Sequence, residues 1–182
     1  MIWITEWKFD HWFLASVYVT CFILLFLIPK ERRRQAHAVY LFQGFMTWIL
    51  GLIVVEMGWL DYPVREFNLA TQTSFLFEYL AYPTVTAYFN VYYPAGRPAI
   101  VRMLYTGAYC AAITIPEIFL EEYTDLIEYH SWEWYWTFIS LYLTLMLSRW
   151  FHNWFFYGGG NDTTVYKRLI GSEQAEQRKP GR

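Results

Sequence analysis

Three glutamates stand in stretches of the chain that are otherwise oily. Glu78 lies within SFLFEYLAYP, five residues before Pro83. Glu56 closes the apolar run that starts at Gln35, and Glu117 follows Pro116 in ITIPEIFLEE. A carboxylate on a membrane helix costs ~2.5–3.5 kcal/mol on insertion scales, and such side chains face a bundle interior or a water-filled cavity. Buried there, a carboxylate can hold a cation or exchange a proton, depending on whether its neighbours are charged or apolar. The prolines add to this chemistry. A proline removes one helical hydrogen bond and frees the carbonyl four residues earlier, that of Tyr79 for Pro83 and that of Ala112 for Pro116. Membrane proteins bind cations at interrupted helices of this kind. Glu78, Glu56 and Glu117 are therefore the candidate ligand or ion site. Arg65 is the partner that would make Glu78 a structural ion pair instead, since a buried charge needs compensation.

A second acidic group follows in PEIFLEEYTDLIEYHSWEWYW. Glu117, Glu121, Asp125 and Glu128 fall at i, i+4, i+8 and i+11, one stripe if the helix continues. Like charges at i, i+4 repel, so such a stripe is solvated, or relieved by cations or by a basic partner. The spacing is not that of a calcium-binding loop, and no metal is assigned. HExxH, GxSxG, P-loop and CxxC motifs are absent. The histidines, His11, His37, His130 and His152, are far apart, with none at metal spacing from another. His130, in the acidic segment, is either a pH-responsive group or a plain surface histidine. No catalytic residue and no cofactor is expected. Cys21 and Cys110 fall in apolar blocks and read as buried thiols.

The elements that must hold these residues are read from the apolar blocks. The 182 residues are 56% hydrophobic, 23% aromatic and only 16% charged, against about 25% charged in an ordinary soluble domain. His11 to Ile28 carries no formal charge for eighteen residues, and Gln35 to Val55 none for twenty-one. About 20 apolar residues span a bilayer as a helix. The fold class is therefore all-α: a polytopic bundle of five transmembrane helices over about 11–29, 35–59, 69–93, 99–120 and 132–157. Residues 158–182 form a polar cytoplasmic tail beyond the domain of residues 1–157, with GGGND as a flexible linker and SEQAEQRKPGR disordered.

Orientation follows from the basic residues. Lys30, Arg32, Arg33, Arg34, Arg97, Arg102, Arg149, Lys167, Arg168, Arg178, Lys179 and Arg182 fall on one side of a five-helix arrangement. Only Lys8 and Arg65 fall on the other. Basic residues near membrane ends mark the cytoplasm, so the N-terminus is expected outside and the C-terminus inside. Glu56, Glu78 and Glu117 then lie in the outer half. Trp132, Trp134 and Trp136 open the fifth helix, and Trp150 and Trp154 close it. Trp134 and Trp154 are ~30 Å apart along a helix, as two interfacial belts require. Arg149 and His152, near the inner end, are expected to snorkel to the headgroups or to bind anionic lipid. Gly44, Gly51 and Gly58 recur every seven residues, and Gly107/Ala111 and Ala108/Ala112 at four. Small residues at these spacings let membrane helices pack closely, within one bundle or across a homodimer.

The runs YPVREFNLATQTSFLFEYLAYP, FNVYYP and EEYTDLIEYHSWEWYWTFISLYLTLMLSRWFHNWFF resemble those of a family of small multi-pass membrane proteins from spore-forming Gram-positive bacteria. The resemblance runs from the first helix to the end of the fifth. It implies a bacterial cytoplasmic membrane location and carries no activity, ligand or catalytic residue with it.

Three functional readings follow. In the first, an outward-facing acidic pocket binds or conducts a cation or proton. In the second, the chain is a non-catalytic subunit of a membrane complex, with Glu78 paired to Arg65, no cavity, and the acidic stripe as a docking face. In the third, it is an enzyme acting on a lipid or isoprenoid, with a groove open to lipid beside Glu78 and a second catalytic group nearby. The expected partners are the lipid bilayer and either further copies of the chain or another membrane protein. No nucleic acid is expected.

Overall fold

The computed structural model describes residues 9–67, 69–159 and 164, and the side chains among them from residue 12 onward. The expected tail, beyond Gly158, Gly159 and Thr164, lies outside the described residues, as do Glu6 and Lys8. Five helices are present among the described residues, and the chain is mostly helical.

Helix α1 runs Phe9–Leu27 and stops before Pro29, which disfavours the helical conformation in the residue preceding it. The Arg33 guanidinium closes this end, donating to the carbonyls of Ile28 and Phe26, both at 3.2 Å. A cation there complements the negative end of the helix. A single 3-10 turn, Lys30–Arg32, leads into α2, Arg33–Glu56. Helix α2 ends before Gly58, which adopts the left-handed conformation (φ 67°).

The third helix departs from expectation. Residues 69–74 are not helical, and the helix opens with a wide π segment, Leu76–Ala81, that passes into α3, Tyr82–Val91. The N–H of Tyr82 reaches back five residues to Phe77. Pro83 has no N–H to give, and its ring crowds the turn before it; a wider turn accommodates both. Helix α4, Ala99–Tyr123, starts after Pro98 and tolerates Pro116 inside it. Helix α5, Trp134–Tyr157, ends at Gly158 in the left-handed conformation, the common helix stop.

One element escaped the sequence reading. Leu60–Asp61 (β1) pairs antiparallel with Glu128–Tyr129 (β2), Leu60 opposite Tyr129. The ladder is extended by Val64 donating to the Asp125 carbonyl at 3.1 Å. The N–H groups of His130, Ser131 and Trp132 all reach the Trp59 carbonyl at 3.0 Å. His130 Nε2 and Asp61 Oδ2 lie 3.0 Å apart across the same junction. Two loops distant in sequence are thereby tied over one end of the bundle.

Helix α2 packs along α3 and α5. At the ladder end the core is apolar, built around Leu14, Val55, Leu60, Leu76, Leu80, Leu120 and Leu126. Between the helices it is unusually polar: Gln43, Thr47, Thr86, Asn90, Thr144, Ser148, Arg149 and His152 are all buried. The outside is the reverse. Phe22, Phe26, Leu41, Phe45, Leu104 and Leu143 are exposed. Among the described residues two helices, Lys30–Glu56 and Ala99–Tyr123, are long and apolar enough to cross a membrane.

Several local expectations are corrected. Arg149 and His152 do not reach outward. Both are buried, and the Arg149 guanidinium sits 4.4 Å over the Tyr93 ring, a cation–π contact. The acidic stripe is not continuous, because α4 ends at Tyr123 and Thr124 is extended (φ −139°, ψ 165°). Glu121 is therefore on α4, Asp125 in the turn beyond it and Glu128 on β2. The glycine series divides: Gly44 and Gly51 pack against the π segment and its surroundings, whereas a Cβ at Gly58 or Gly107 would meet nothing within 4 Å among the described residues. Cys21 and Cys110 are free and buried.

Candidate functional site

The π segment and the end of α4 deliver two carboxylates into one cavity. Glu78 and Glu117 are each only 6% exposed, and both line a space of about 260 Å³ beneath the β1–β2 ladder. Its walls come from α2 (Thr47, Leu50, Gly51, Ile53, Val54), the ladder loops (Trp59, Leu60, Tyr62, Trp132) and α5 (Thr137, Ser140, Leu141, Thr144), with Tyr82 from α3. Among the described residues, no lysine, arginine or histidine lines it. Leu50, Ile53 and Trp59 are 39%, 50% and 39% exposed, so the mouth lies on the side of the bundle near the C-terminal part of α2.

Glu117 is fully engaged. Its Oε2 accepts from the Tyr82 hydroxyl at 3.0 Å. Its Oε1 accepts from Tyr129 at 2.6 Å and Thr137 at 2.8 Å. Thr137 accepts in turn from the Trp132 indole N–H at 2.8 Å, so each end of that hydroxyl has one task. Glu78 is less satisfied. Its Oε1 accepts from the Tyr62 hydroxyl at 3.0 Å, and Oε2 accepts nothing among the described residues.

The ladder explains why two loop tyrosines become donors inside the site. Pairing Leu60 with Tyr129 holds both loops over the helix ends, with Tyr62 above Glu78 and Tyr129 above Glu117. Burial, and then the negative charge of Glu78, pushes the Tyr62 phenol well above its usual range. Burial and Glu117 do the same for Tyr129. Both therefore keep their protons at neutral pH and remain donors.

Arg65 does not pair with Glu78. Its Nη1 donates to the Tyr62 carbonyl at 2.7 Å and its Nε to the Thr71 carbonyl at 2.8 Å. It acts one residue removed, fixing the backbone of the tyrosine that caps Glu78. Glu56 is exposed on α2 and stands outside the cavity. It lies five residues from Gly51, about 140° around the helix. The carbonyls loosened by the π segment are also occupied. Tyr40 donates to Tyr79 O at 2.9 Å, and the Thr47 hydroxyl donates to Glu78 O. They hold helices together and do not face a ligand.

The aromatic and hydroxyl residues of the site, Tyr62, Tyr82, Tyr129, Thr137, Trp59 and Trp132, were not legible as site residues. Tyr82 alone carried a signal, four residues from Glu78 on the same helical side. Gly51 was visible as a packing glycine, but its neighbour was not: a Cβ there would sit 2.8 Å from Glu78 Oε1 and 2.8 Å from Thr73 Oγ1. Among the described residues, no three His, Cys, Asp or Glu side chains are grouped to hold a metal ion.

No family model, no curated protein and no solved structure matches this chain. The class that the fold itself defines is a mostly helical bundle with two helices of membrane-crossing length.

Proposed function

We propose that this chain is a multi-pass integral membrane protein, N-terminus out and C-terminus in, whose outward-facing acidic cavity binds a cation through Glu78 and Glu117. The observation that carries the reading is the pair of buried carboxylates in one cavity to whose lining the described residues contribute no basic side chain. A buried negative charge without a protein cation calls for a positive ligand or a proton.

The membrane assignment rests on an inside-out distribution. Large apolar side chains are exposed and polar ones are buried between helices. Informative departures from ordinary burial are of this kind, and hydrocarbon surroundings account for both. The basic residues argue for the orientation, and the family resemblance for a bacterial cytoplasmic membrane. The accessory-subunit reading called for an Arg65–Glu78 pair and no cavity; Arg65 instead binds two carbonyls, beside a cavity of about 260 Å³. One observation favours the enzyme reading as a second choice. The apolar mouth beside Leu50 and Ile53 would admit an amphiphile, with Glu78 or Glu117 as acid or base.

The test is reconstitution of the purified chain in liposomes, with proton and cation flux and cation binding measured for wild type, Glu78→Gln and Glu117→Gln. Carboxylate-dependent binding or flux is expected. If wild type shows neither above empty liposomes, the reading is wrong. Chemical turnover of an added lipid would move the assignment to the enzyme.

A further inference from the structure

The cavity is larger and oilier than a metal ion or a bare proton requires. Water occupies ≈ 30 Å³ per molecule in the liquid, and the space measures about 260 Å³. Most of its wall is hydrocarbon: Leu50, Ile53, Val54, Leu60 and Leu141. Hard cations take six or more oxygens in a shell. Both oxygens of Glu117 already accept hydrogen bonds from three hydroxyls, which leaves Glu78 Oε2 as the one oxygen of this carboxylate pair without a donor among the described residues. A single open acceptor on a side chain 6% exposed suits one N–H of a cationic ligand. It does not make a coordination sphere.

The wall also carries an aromatic pair. Trp59 and Trp132 lie stacked, their rings 6.0 Å apart, at the ladder end of the cavity. Tryptophan faces attract ammonium groups within ≈ 6 Å. An anionic headgroup would meet two carboxylates and, among the described residues, no counter-charge in the lining, so phosphate-bearing amphiphiles are disfavoured. The mouth beside Leu50 and Ile53 faces the side of the bundle, where a membrane-dissolved molecule would arrive.

We propose that the ligand of this cavity is an organic ammonium ion with an apolar body, its N–H donated to Glu78 Oε2 and its hydrocarbon against the α2 and α5 walls. This rests on the cation-binding reading and narrows it from any cation to an alkyl- or arylammonium. Tyr62 keeps Oε1 occupied and so turns Oε2 to the ligand. Gly51 leaves room for the carboxylate by lacking a Cβ.

The experiment is calorimetric titration of the full-length protein in lipid nanodiscs, with tryptophan fluorescence read in parallel. The probes are hexylammonium, its neutral counterpart hexanol, its anionic counterpart hexyl phosphate, and sodium and potassium chloride. Saturable hexylammonium binding is expected, with a change in tryptophan emission, and hexanol and hexyl phosphate should not saturate. Glu78→Gln should weaken hexylammonium by about tenfold or more, as loss of a charged hydrogen bond implies. Should that variant misfold, the comparison of the three hexyl probes on wild type still decides. Equal binding of hexanol overturns the proposal, because the cavity then reads shape without charge. Binding of sodium or potassium that hexylammonium cannot displace also overturns it but leaves the broader cation reading standing. If no probe and no ion binds, both fall.

Discussion

Gly51 and Glu78 occupy one space: a Cβ built on the glycine would lie 2.8 Å from the glutamate Oε1 and 2.9 Å from its Cδ. The Glu78 carboxylate therefore lies where the side chain of any other residue at position 51 would stand. The carboxylate is held against backbone on one side and by the Tyr62 hydroxyl on the other.

Gly51→Ala should displace Glu78 or part the two elements. Inserting a methyl into a packed contact costs typically ~1–3 kcal/mol. Gly44→Ala is the control. Its Cβ would meet Pro83 Cγ at 3.4 Å and Tyr79 at 3.6 Å, ordinary contacts, and it should change stability by less than about 1 kcal/mol. Unfolding in mixed micelles, followed by helical circular dichroism, measures both. Equal tolerance of the two substitutions would contradict the close approach.

Tyr129→Phe and Thr137→Val each remove a donor to the same oxygen of Glu117. Leaving a buried acceptor short of a partner costs ~1–3 kcal/mol. Because both hydroxyls serve one atom, the double variant should depart from the sum of the singles. Simple additivity in a double-mutant cycle would mean that the two do not share Glu117.

Alkaline pH should weaken the fold through Tyr62 and Tyr129. Both phenols are raised above the ordinary value of 10.0 by burial first and by their carboxylate neighbours second. Below pH 10 both folded and unfolded chains hold these protons, and the contribution is constant. Above it the unfolded chain releases protons that the folded chain keeps, so stability falls as pH rises. The combined Tyr62→Phe and Tyr129→Phe variant should show a shallower decline between pH 9 and about 11, read from unfolding midpoints. An unchanged slope would place the alkaline sensitivity elsewhere.

Arg65 is expected to matter without contacting either carboxylate. Its two bonds to the Tyr62 and Thr71 carbonyls hold the loop that caps Glu78. Arg65→Ala should cost ~1.5–3 kcal/mol, the range for hydrogen bonds from a charged donor. Arg65→Lys should recover only part of this, because an ammonium lacks the planar fork that reaches both carbonyls. If Arg65→Ala instead behaves as removal of a partner from Glu78, its effect should vanish in a Glu78→Gln background. Persistence of the effect there is the expected result.

Much of the helical frame was readable from local chemistry. The apolar runs placed the helices, Pro29 marked the end of the first, and Gly158 stopped α5 in the conformation glycine favours. The same local reading singled out Glu78 and Glu117, because a carboxylate among apolar neighbours is conspicuous whatever it touches. It could not tell them from Glu56. Which face of α2 turns toward α3 is settled by close approach at Gly44 and Gly51, and that packing leaves Glu56 exposed. Nor could it find the ladder, since two residues per strand are too few for an alternating pattern to register.

By itself, then, the sequence determined the five helices, some of their ends and the presence of costly buried charge, all consequences of propensity and hydrophobicity acting over a few turns. Only the tertiary structure decided that Glu78 and Glu117 share a cavity and that Tyr62 and Tyr129 cap them. It also turned Arg65 to backbone carbonyls and ended the acidic stripe at Tyr123. These depend on contacts between residues far apart in the chain. Helical periodicity says which residues share a face, but only packing says what that face meets.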